Sequence, residues 1–375
     1  MPEIKLNLGS QVAIRKPVFD QLLGNLAKAG YETIGPHIKD AALIYAPISG
    51  LADLPQGFTS EQDGGHYRLK ASGNSRYFDL TPGAPSWKQF LFPPRTELFN
   101  LMKENGNWLE EALKKEPPRY AFIGVRPCEL AAIAVQDKVF IRSDFTDPTY
   151  KSRRENIFIL AVDCLHPGDT CFCASMGTGP AAEGGFDLKL IELDEVFLIE
   201  VGSQAGLDVL HDLSVETIGA DWQQAAAERH KIAVRSMGRH LDDVASVPGV
   251  LINNLEHPRW KDVAARCLSC TSCTQVCPTC FCWDVEDTTS LDGKNTARIR
   301  VWDSCFNITH AAQAGGNIRP TTASRYRQWL THKMSTWQQQ FGVLGCVGCG
   351  RCITWCPAGI DITEEIKAIR GEAVK

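Results

Sequence analysis

The chain lacks the sequence signatures of most membrane proteins and of several common enzyme classes. Its longest apolar runs, such as those at 157–162 and 196–201, have the length of a strand and fall far below the roughly 18 residues of a membrane span. The amino terminus shows no basic stretch followed by an apolar signal core. We find no Walker motif, no HExxH, no GxSxG and no GxGxxG after a strand, so a nicotinamide or flavin site on this chain is unsupported. These absences predict a cytoplasmic protein without a membrane span and without a recognisable catalytic constellation.

Cysteine, in contrast, is abundant. The chain has 15 cysteines in 375 residues, and this odd count without a signal segment argues against a disulfide scaffold. Eight of them form two copies of the pattern CxxCxxCxxxCP with the same internal spacing. The first copy is Cys267, Cys270, Cys273 and Cys277 before Pro278, and the second is Cys346, Cys349, Cys352 and Cys356 before Pro357. This spacing is typical of proteins that carry two [4Fe–4S] clusters, so it predicts electron transfer.

The fourth cysteine of each such motif ligates the other cluster, and this crossover predicts two ligand sets. We name them site A (Cys267, Cys270, Cys273 and Cys356) and site B (Cys346, Cys349, Cys352 and Cys277). The first loop interleaves hydroxyl groups among its ligands and the second loop is largely apolar, so the sequence predicts that the site A cluster is reduced first. The alternative is that these hydroxyls only cap turns. Zinc is the alternative ligand of CxxC pairs, but three cysteines crowded into one loop fit zinc poorly.

Seven cysteines lie outside the doubled motif. Cys128 and Cys164 each follow a predicted strand, and the carboxyl ends of parallel strands share the sheet edge where sites collect. Cys171 and Cys173 come in the next loop, so the four together predict a third metal site, named site C. The alternative is that they are buried packing residues. The remaining three either line a cluster, give access to another centre or fill space: Cys280, Cys282 and Cys305.

The pattern of apolar residues predicts two domains and a mixed α+β fold class. The chain is 44% hydrophobic and 22% charged, as is usual for a globular protein. Residues 1–245 are expected to form an α/β docking domain, with strands at 42–48, 120–125, 157–162 and 196–201 and helices at 18–29, 97–115, 129–135 and 223–241. Residues 246–375 are expected to form a mainly helical dicluster ferredoxin-like domain. Its insertion between the two motifs is predicted to hold a strand at 297–302 and a helix at 323–337.

Charge is unevenly distributed along the chain. The formal net charge is −5, yet the cysteine-rich part has a basic excess that is concentrated at 294–333. The basic residues there are Lys294, Arg298, Arg300, Arg319, Arg325, Arg327 and Lys333. Nucleic acid is one partner that such a run suggests. Because an oxidised four-thiolate cluster carries about −2, charge compensation or partner docking is favoured, and no nucleic acid is expected.

Six stretches of the chain resemble one known group of proteins. They are GVRPCELAAIAVQDKVF (124–140), DCLHPGDTCFCASMGTGP (163–180), CLSCTSCTQVCPTCFCWDVED (267–287), RVWDSCF (300–306), RYRQWLTHK (325–333) and CVGCGRCITWCPAGIDI (346–362). In these stretches the chain resembles the β subunits of soluble NAD(P)-linked nickel–iron hydrogenases, also called sulfhydrogenases, and the corresponding iron–sulfur subunit of anaerobic sulfite reductase. The resemblance covers most of the chain from about Gly124.

The resemblance implies an electron-transfer protein with two [4Fe–4S] clusters on the eight motif cysteines and allows a third cluster. One implied partner is a FAD- and NAD(P)-binding reductase subunit. The other partner would be hydrogenase small and large subunits, which we favour, or a sulfite reductase catalytic subunit. Two alternatives stay open: a self-contained sulfur or sulfite reductase with a substrate-facing cysteine centre, and a zinc-stabilised binding module.

Overall fold

The computed structural model describes residues 5–111, 117–142 and 144–372. Its strands are β1 (Gln11–Arg15), β2 (Glu32–Lys39), β3 (Ala42–Pro47), β4 (Phe58–Asp63), β5 (His66–Ala71), β6 (Arg95–Glu104), β7 (Asn107–Glu111), β8 (Tyr120–Val125), β9 (Ile141–Arg142), β10 (Phe145–Thr146), β11 (Ile157–Val162), β12 (Leu188–Glu192), β13 (Val196–Val201), β14 (Trp283–Thr289), β15 (Asn295–Trp302), β16 (Ala312–Gln313) and β17 (Gly316–Asn317). Its α-helices are α1 (Phe19–Lys28), α2 (Lys88–Leu91), α3 (Pro127–Phe140), α4 (Pro148–Glu155), α5 (Gln204–Leu210), α6 (Ala220–Arg235), α7 (Val247–Asn253), α8 (Arg259–Arg266), α9 (Ser272–Gln275), α10 (Thr322–Thr331), α11 (Trp337–Phe341), α12 (Arg351–Thr354) and α13 (Ile362–Arg370).

A seven-stranded mixed sheet organises the amino-terminal part, in the order β1-β13-β12-β11-β8-β2-β3. Strands β2, β8, β11 and β12 are parallel to one another. Strand β3 pairs with β2, β13 pairs with β12, and β1 pairs with β13, each in antiparallel fashion. Helix α1 packs on one face of the sheet and α3 on the other. Strands β8 and β11 are covered on both faces and buried along nearly their whole length, which explains their uninterrupted apolar sequences.

A second, antiparallel sheet has the order β14-β15-β6-β7 and corrects one sequence prediction. The helix predicted at 97–115 is wrong, because β6 and β7 occupy this segment as a hairpin; residues 112–116 lie outside the described part. Asn105 and Gly106, both with positive φ, form the two-residue turn, which is the typical Asn-Gly hairpin connection. Strand β15 supplies the partner edge for β6, and this long-range pairing outweighs local helix propensity.

The other predicted elements agree with the structure. The strands at 42–48, 120–125, 157–162, 196–201 and 297–302 are confirmed as β3, β8, β11, β13 and β15. The helices at 18–29 and 129–135 match α1 and α3, and the one at 223–241 ends earlier, at Arg235. The helix at 323–337 is present as α10, which runs through a π-helical turn at His332–Thr336 into α11. The mixed fold with a carboxyl-terminal dicluster domain is therefore confirmed.

The carboxyl-terminal part packs short helices around the two cysteine motifs. Its core joins aromatic side chains of α8 and α10, such as Trp260 and Trp329, to aliphatic side chains of α13, such as Ile366. The boundary proposed at residues 245 and 246 lies just before α7 and stays a prediction, while the β6–β15 pairing ties both halves into one sheet. Among the described helices, none has the length and apolar character that crossing a membrane requires.

Candidate iron–sulfur sites

The two cysteine motifs fold into loops of the same local shape. Ser269 and Thr271 in the first loop have positive φ, as do Gly348 and Gly350 at the equivalent places in the second. A single-turn helix follows each pair, α9 in the first motif and α12 in the second. The backbone amides of Ser269 and Gly348 each donate to the sulfur of their own motif's first cysteine at 3.4 Å. Left-handed residues therefore turn backbone donors toward sulfur in both loops.

The structure brings the four cysteines of site A around one cavity of about 430 Å³. Cys267, Cys270 and Cys273 come from the first motif, while Cys356 comes from the second, as the crossover predicts. The rest of the lining is mostly apolar and includes Phe306, Tyr326, Trp329, Ile360 and Ile362. The Ile360 amide also donates to Cys356 Sγ at 3.4 Å. Four thiols around a mostly apolar cavity fit the ligand set of a [4Fe–4S] cluster.

The four cysteines of site B lie close to one another deeper in the fold. Burial raises the pKa of Cys352, and the neighbouring thiols Cys346, Cys349 and Cys277 add to this effect. Burial likewise raises the pKa of Cys346 to about 12. Buried thiols with such a pKa are neutral unless a cation compensates them, and iron does so because a coordinating thiol is deprotonated. The donor set again fits a [4Fe–4S] cluster.

A buried lysine contacts site B. Lys333 is 3% exposed, and its Nζ donates to Cys277 Sγ at 3.3 Å, to Thr279 Oγ1 at 3.0 Å and to Gly345 O at 3.0 Å. Burial opposes its charge, but the thiolates of Cys277 and its neighbours outweigh burial and raise the lysine pKa well above its ordinary value. Lys333 therefore holds a positive charge against one ligand of site B.

The four cysteines assigned to site C lie at the carboxyl ends of two neighbouring parallel strands, and their role as metal ligands stays a prediction. Strand β8 leads into α3, whose first turn carries Cys128, and β11 leads into Cys164. These two cysteines, together with Cys171 and Cys173, line a cavity of about 380 Å³. Burial raises the pKa of all four thiols, that of Cys171 to about 12. If these cysteines were only packing residues, their thiols would not need to line the same cavity. The donor set therefore also fits a polynuclear cluster.

Arginine side chains supply positive charge at the boundary between sites B and C. Arg126 and Arg351 line the site C cavity together with Cys349 of site B. Arg351 is 3% exposed, pairs with the buried carboxylate of Glu129, and donates to Gly83 O at 3.0 Å. Arg351 thus ties the second cysteine motif to α3 and to a loop of the amino-terminal part.

Within the described ranges, no group of three or more His, Cys, Asp or Glu side chains is placed to hold a single metal ion. The thiols of sites A and C line one cavity at each site. In a polynuclear cluster, iron and sulfide lie between the thiolate ligands.

The three remaining cysteines lie beside site B and near site A. Cys280 is buried against Cys277, whereas Cys282 is in hydrogen-bonding contact with Cys305 and with His310. No pattern in the sequence indicated His310, because its spacing from these cysteines matches no known ligand motif. The sequence named Lys333 only as one member of a basic run expected to compensate cluster charge or dock a partner, and it indicated no role for Arg351, although both residues lie in stretches that carry the family resemblance.

Comparisons with known proteins agree with this geometry. The family model of the 4Fe-4S dicluster domain matches residues 266–360. The chain is also similar to sulfhydrogenase 2 subunit beta of Pyrococcus furiosus, with 34% identity over 291 residues that cover 76% of this chain and 82% of the relative. No solved structure matches the chain.

Proposed function

This chain belongs to the sulfhydrogenase β-subunit family and is an iron–sulfur electron-transfer subunit of the hydrogenase type, and on that premise we propose its place in a complex. We propose that it relays electrons between a catalytic module of hydrogenase small and large subunits and a FAD- and NAD(P)-binding reductase subunit. A sulfite reductase catalytic subunit is the second candidate for the module, because both groups share the sequence stretches quoted above.

The crossed arrangement of the two motifs supports this relay most strongly. Site A takes three thiols from one motif and one from the other, so two clusters would share a single folded unit. Cys352 of site B also lines the site A cavity, and Cys349 of site B lines the site C cavity. The three candidate sites are therefore consecutive neighbours, which suits a path for electrons through the chain.

Each [4Fe–4S] cluster, when bound, supplies one-electron reduction and oxidation. The residues of this chain hold and tune such groups. The aromatic side chains that line site A cover part of the cavity, the loop amides point at sulfur, and Lys333 and Arg351 offset negative charge near site B. A relay needs no general acid or base, which agrees with the sequence.

We further propose that site C holds a third iron–sulfur cluster and that residues 1–245 form a docking domain. Site C lies at the carboxyl edge of the central sheet, and Cys349 of site B also lines its cavity. In this arrangement the amino-terminal part would present one end of the path to a partner subunit, and site A would present the other.

Metal analysis of the full chain, prepared anaerobically, tests the cluster count. We expect about 12 iron atoms with matching acid-labile sulfide if sites A, B and C are all filled. Cys164→Ser should lose about four of them while the EPR signals of the two motif clusters persist. A chain with zinc and little iron would contradict the relay, and unchanged iron in Cys164→Ser would contradict the third cluster alone.

Variants of the crossed ligands test the relay itself. In the complete complex, Cys277→Ser should remove the site B cluster and stop electron flow from NAD(P)H to the catalytic module, because the path is interrupted. The isolated half-reactions of the partners, measured with artificial dyes, should persist. Full turnover of the complex without this cluster would refute the proposed path.

A further inference from the structure

One side of site A reaches the protein surface. Of the twelve cysteines assigned to sites A, B and C, all within the described ranges, Cys270 alone is exposed. Leu268, in the same loop, is 67% exposed and lines the site A cavity together with Cys270 and Pro357. Pro357 is likewise exposed. Site A is therefore the candidate cluster site that a second protein can approach most directly.

A second loop lies beside this opening. Ser269 Oγ is hydrogen-bonded to Thr322 Oγ1 at 3.2 Å. The guanidinium of Arg325 donates to Ser269 Oγ at 3.4 Å and to Arg319 O at 3.2 Å. These hydrogen bonds hold the segment before α10 against the first cysteine loop. Two large apolar side chains of this segment are more than half exposed: Ile308 and Ile318.

These residues form one exposed region, which we name the site A surface. Its apolar members surround an exposed cysteine, and its charged members are arginines. An exposed apolar patch with a polar rim is typical of a protein–protein contact. The members are Leu268, Cys270, Ile308, Ile318 and Pro357, with Arg266 and Arg319 at the rim.

The segments that build this surface contain no acidic residue. Neither 263–283 nor 304–360 includes an aspartate or a glutamate. Within the part of the chain that the structure describes, no carboxylate pairs with Arg319 or Arg325. Arg325 is 7% exposed, so its charge lies inside the fold, whereas Arg319 is only half-buried. The rim therefore carries positive charge that no acidic side chain of these segments neutralises.

Helix α8 adds to this charge where it enters the first cysteine loop. Arg266 is 44% exposed and shares the buried carboxylate of Glu365 with Arg259, so these three side chains have a net positive charge. Lys261 and Asp262 of the same helix are both exposed and offset each other. An oxidised cluster carries about −2, but it would lie within the cavity, with the rim arginines on its solvent side.

We propose that the site A surface docks a redox partner protein whose own contact surface is acidic. The inference rests on the proposed function, because single electrons pass between site A and the redox group of this partner. Leu268 is the apolar anchor next to the exposed ligand Cys270, and Arg266 and Arg319 face carboxylates of the partner. A second copy of this chain does not suit the surface, because two positive rims would repel each other.

The subunit composition of the purified complex tests this contact. Leu268→Asp should weaken the attachment of one partner subunit about tenfold or more, because it replaces an apolar anchor with a charge that acidic groups repel. Leu291→Asp is the matched control, since Leu291 is fully exposed in the turn between β14 and β15 and does not line site A. The control should keep every subunit. Native mass spectrometry of a dilution series measures both variants, and iron analysis confirms that their clusters are intact.

Oxidation of the reduced, cluster-loaded chain by two small probes tests the sign of the charge. Anionic iron(III)–EDTA should react faster at low salt than at high salt, and cationic hexaammineruthenium(III) should show the opposite dependence. Arg319→Glu should slow the reaction with the anionic probe about fivefold at low salt and accelerate that with the cationic probe. Lys294→Glu makes the same change of charge in the β14–β15 turn and should leave both rates unchanged. Stopped-flow absorbance gives the rates.

Three results would overturn the proposal. The first is normal attachment of every subunit in Leu268→Asp with full iron content, and the second is an unchanged response to both probes in Arg319→Glu. The third is a dimer of the chain alone that Leu268→Asp dissociates, because a second copy would then cover the surface. If Leu268→Asp lost iron, Arg319→Glu in the complex would decide the matter, since Arg319 lies outside both motifs.

Failure of the proposed function would look different. A wild-type chain that holds no clusters would react with neither probe, and this would refute the relay. The loss of one subunit in Leu268→Asp but not in Leu291→Asp would still support the docking surface in that case.

Discussion

The two cysteine loops have the same backbone course but different neighbours. The first loop faces the surface, where Cys270 is exposed and Leu268 is 67% exposed. The second loop is packed inside the fold: Phe172 N donates to Gly348 O at 2.8 Å, and Gly65 N donates to Ile353 O at 3.2 Å. A duplicated motif therefore provides one cluster site near the solvent and one enclosed by the amino-terminal part.

This difference explains which residues occupy the left-handed positions. Ser269 and Thr271 are tolerated at positive φ in the open first loop, since space remains for their side chains. In the second loop, a Cβ on Gly350 would lie 2.4 Å from Thr170 O, and one on Gly348 would lie 2.7 Å from the backbone of Cys173. Close packing against the site C loop, as well as the backbone angle, thus requires glycine there.

The largest expected effect is a loss of stability when a side chain is added at a left-handed position of the second loop, compared with a substitution at the equivalent position of the first loop. Gly350→Ala places a methyl group against backbone at φ 74°, and we expect it to destabilise the folded chain by about 3 kcal/mol. Thr271→Ala, the matched control in the first loop, should change stability by about 0.5 kcal/mol or less. Denaturant unfolding of the anaerobic chain, followed by cluster absorbance, measures both. Equal losses would show that the two loops are packed alike.

The electrostatic contrast between the sites opposes the reduction order predicted from the sequence. The first-loop hydroxyls of Ser269 and Thr274 bond to Thr322 Oγ1 and Thr271 O, and the Ser269 side chain also lowers the pKa of Cys267 in site A, although burial outweighs this effect. The buried ammonium of Lys333 carries a full positive charge and contacts a ligand of site B. Since a cation favours the more negative, reduced cluster, the structure argues that site B, not site A, is reduced first.

Lys333→Met tests this order and should have the second largest effect. Removal of a buried charge next to Cys277 should lower the potential of the site B cluster by on the order of 100 mV, because the reduced state loses its compensating cation. Potentiometric EPR titration of the loaded chain measures the shift. Lys294→Gln, which removes the same charge from an exposed turn, is the control and should leave both potentials unchanged. If the reduction potential of site B were unchanged in Lys333→Met, Lys333 would not be its main electrostatic determinant.

Local patterns sufficed for much of the fold. Buried parallel strands such as β8 and β11 have apolar runs that identify them as strands even when the neighbouring strands are unknown. The doubled ligand spacing likewise identifies a dicluster domain. The proximity of the four site C cysteines could be predicted, because chain direction places the ends of β8 and β11 together, while their role as ligands stays a prediction. The pairing of β6 with β15 could not be predicted in this way, because the two strands are far apart in the sequence and neither sequence alone indicates its partner.

The charged surroundings of the sites were harder to predict for the same reason. Lys333 lies 56 positions from Cys277, and the basic run that contains it is mostly occupied elsewhere. Arg300 pairs with Asp147, Arg298 with Asp287 and Arg327 with Glu256. Composition indicated an excess of positive charge near the clusters, but only the fold shows which of these residues contacts a ligand.

The smallest expected effect concerns Ser272, a first-loop residue whose hydroxyl contacts a ligand of site A. Ser272 Oγ lies 3.4 Å from Cys270 Sγ, and it can donate to that sulfur when Cys270 is a thiolate. Because the hydrogen bond is exposed and weak, Ser272→Ala should lower the site A potential by only about 30 mV and leave site B unchanged. The same EPR titration resolves the shift, with Thr274→Ser as a control that keeps the hydroxyl bonded to Thr271 O. If Ser272→Ala lowers the site A potential as much as Lys333→Met lowers that of site B, hydroxyl groups rather than buried cations set the reduction order.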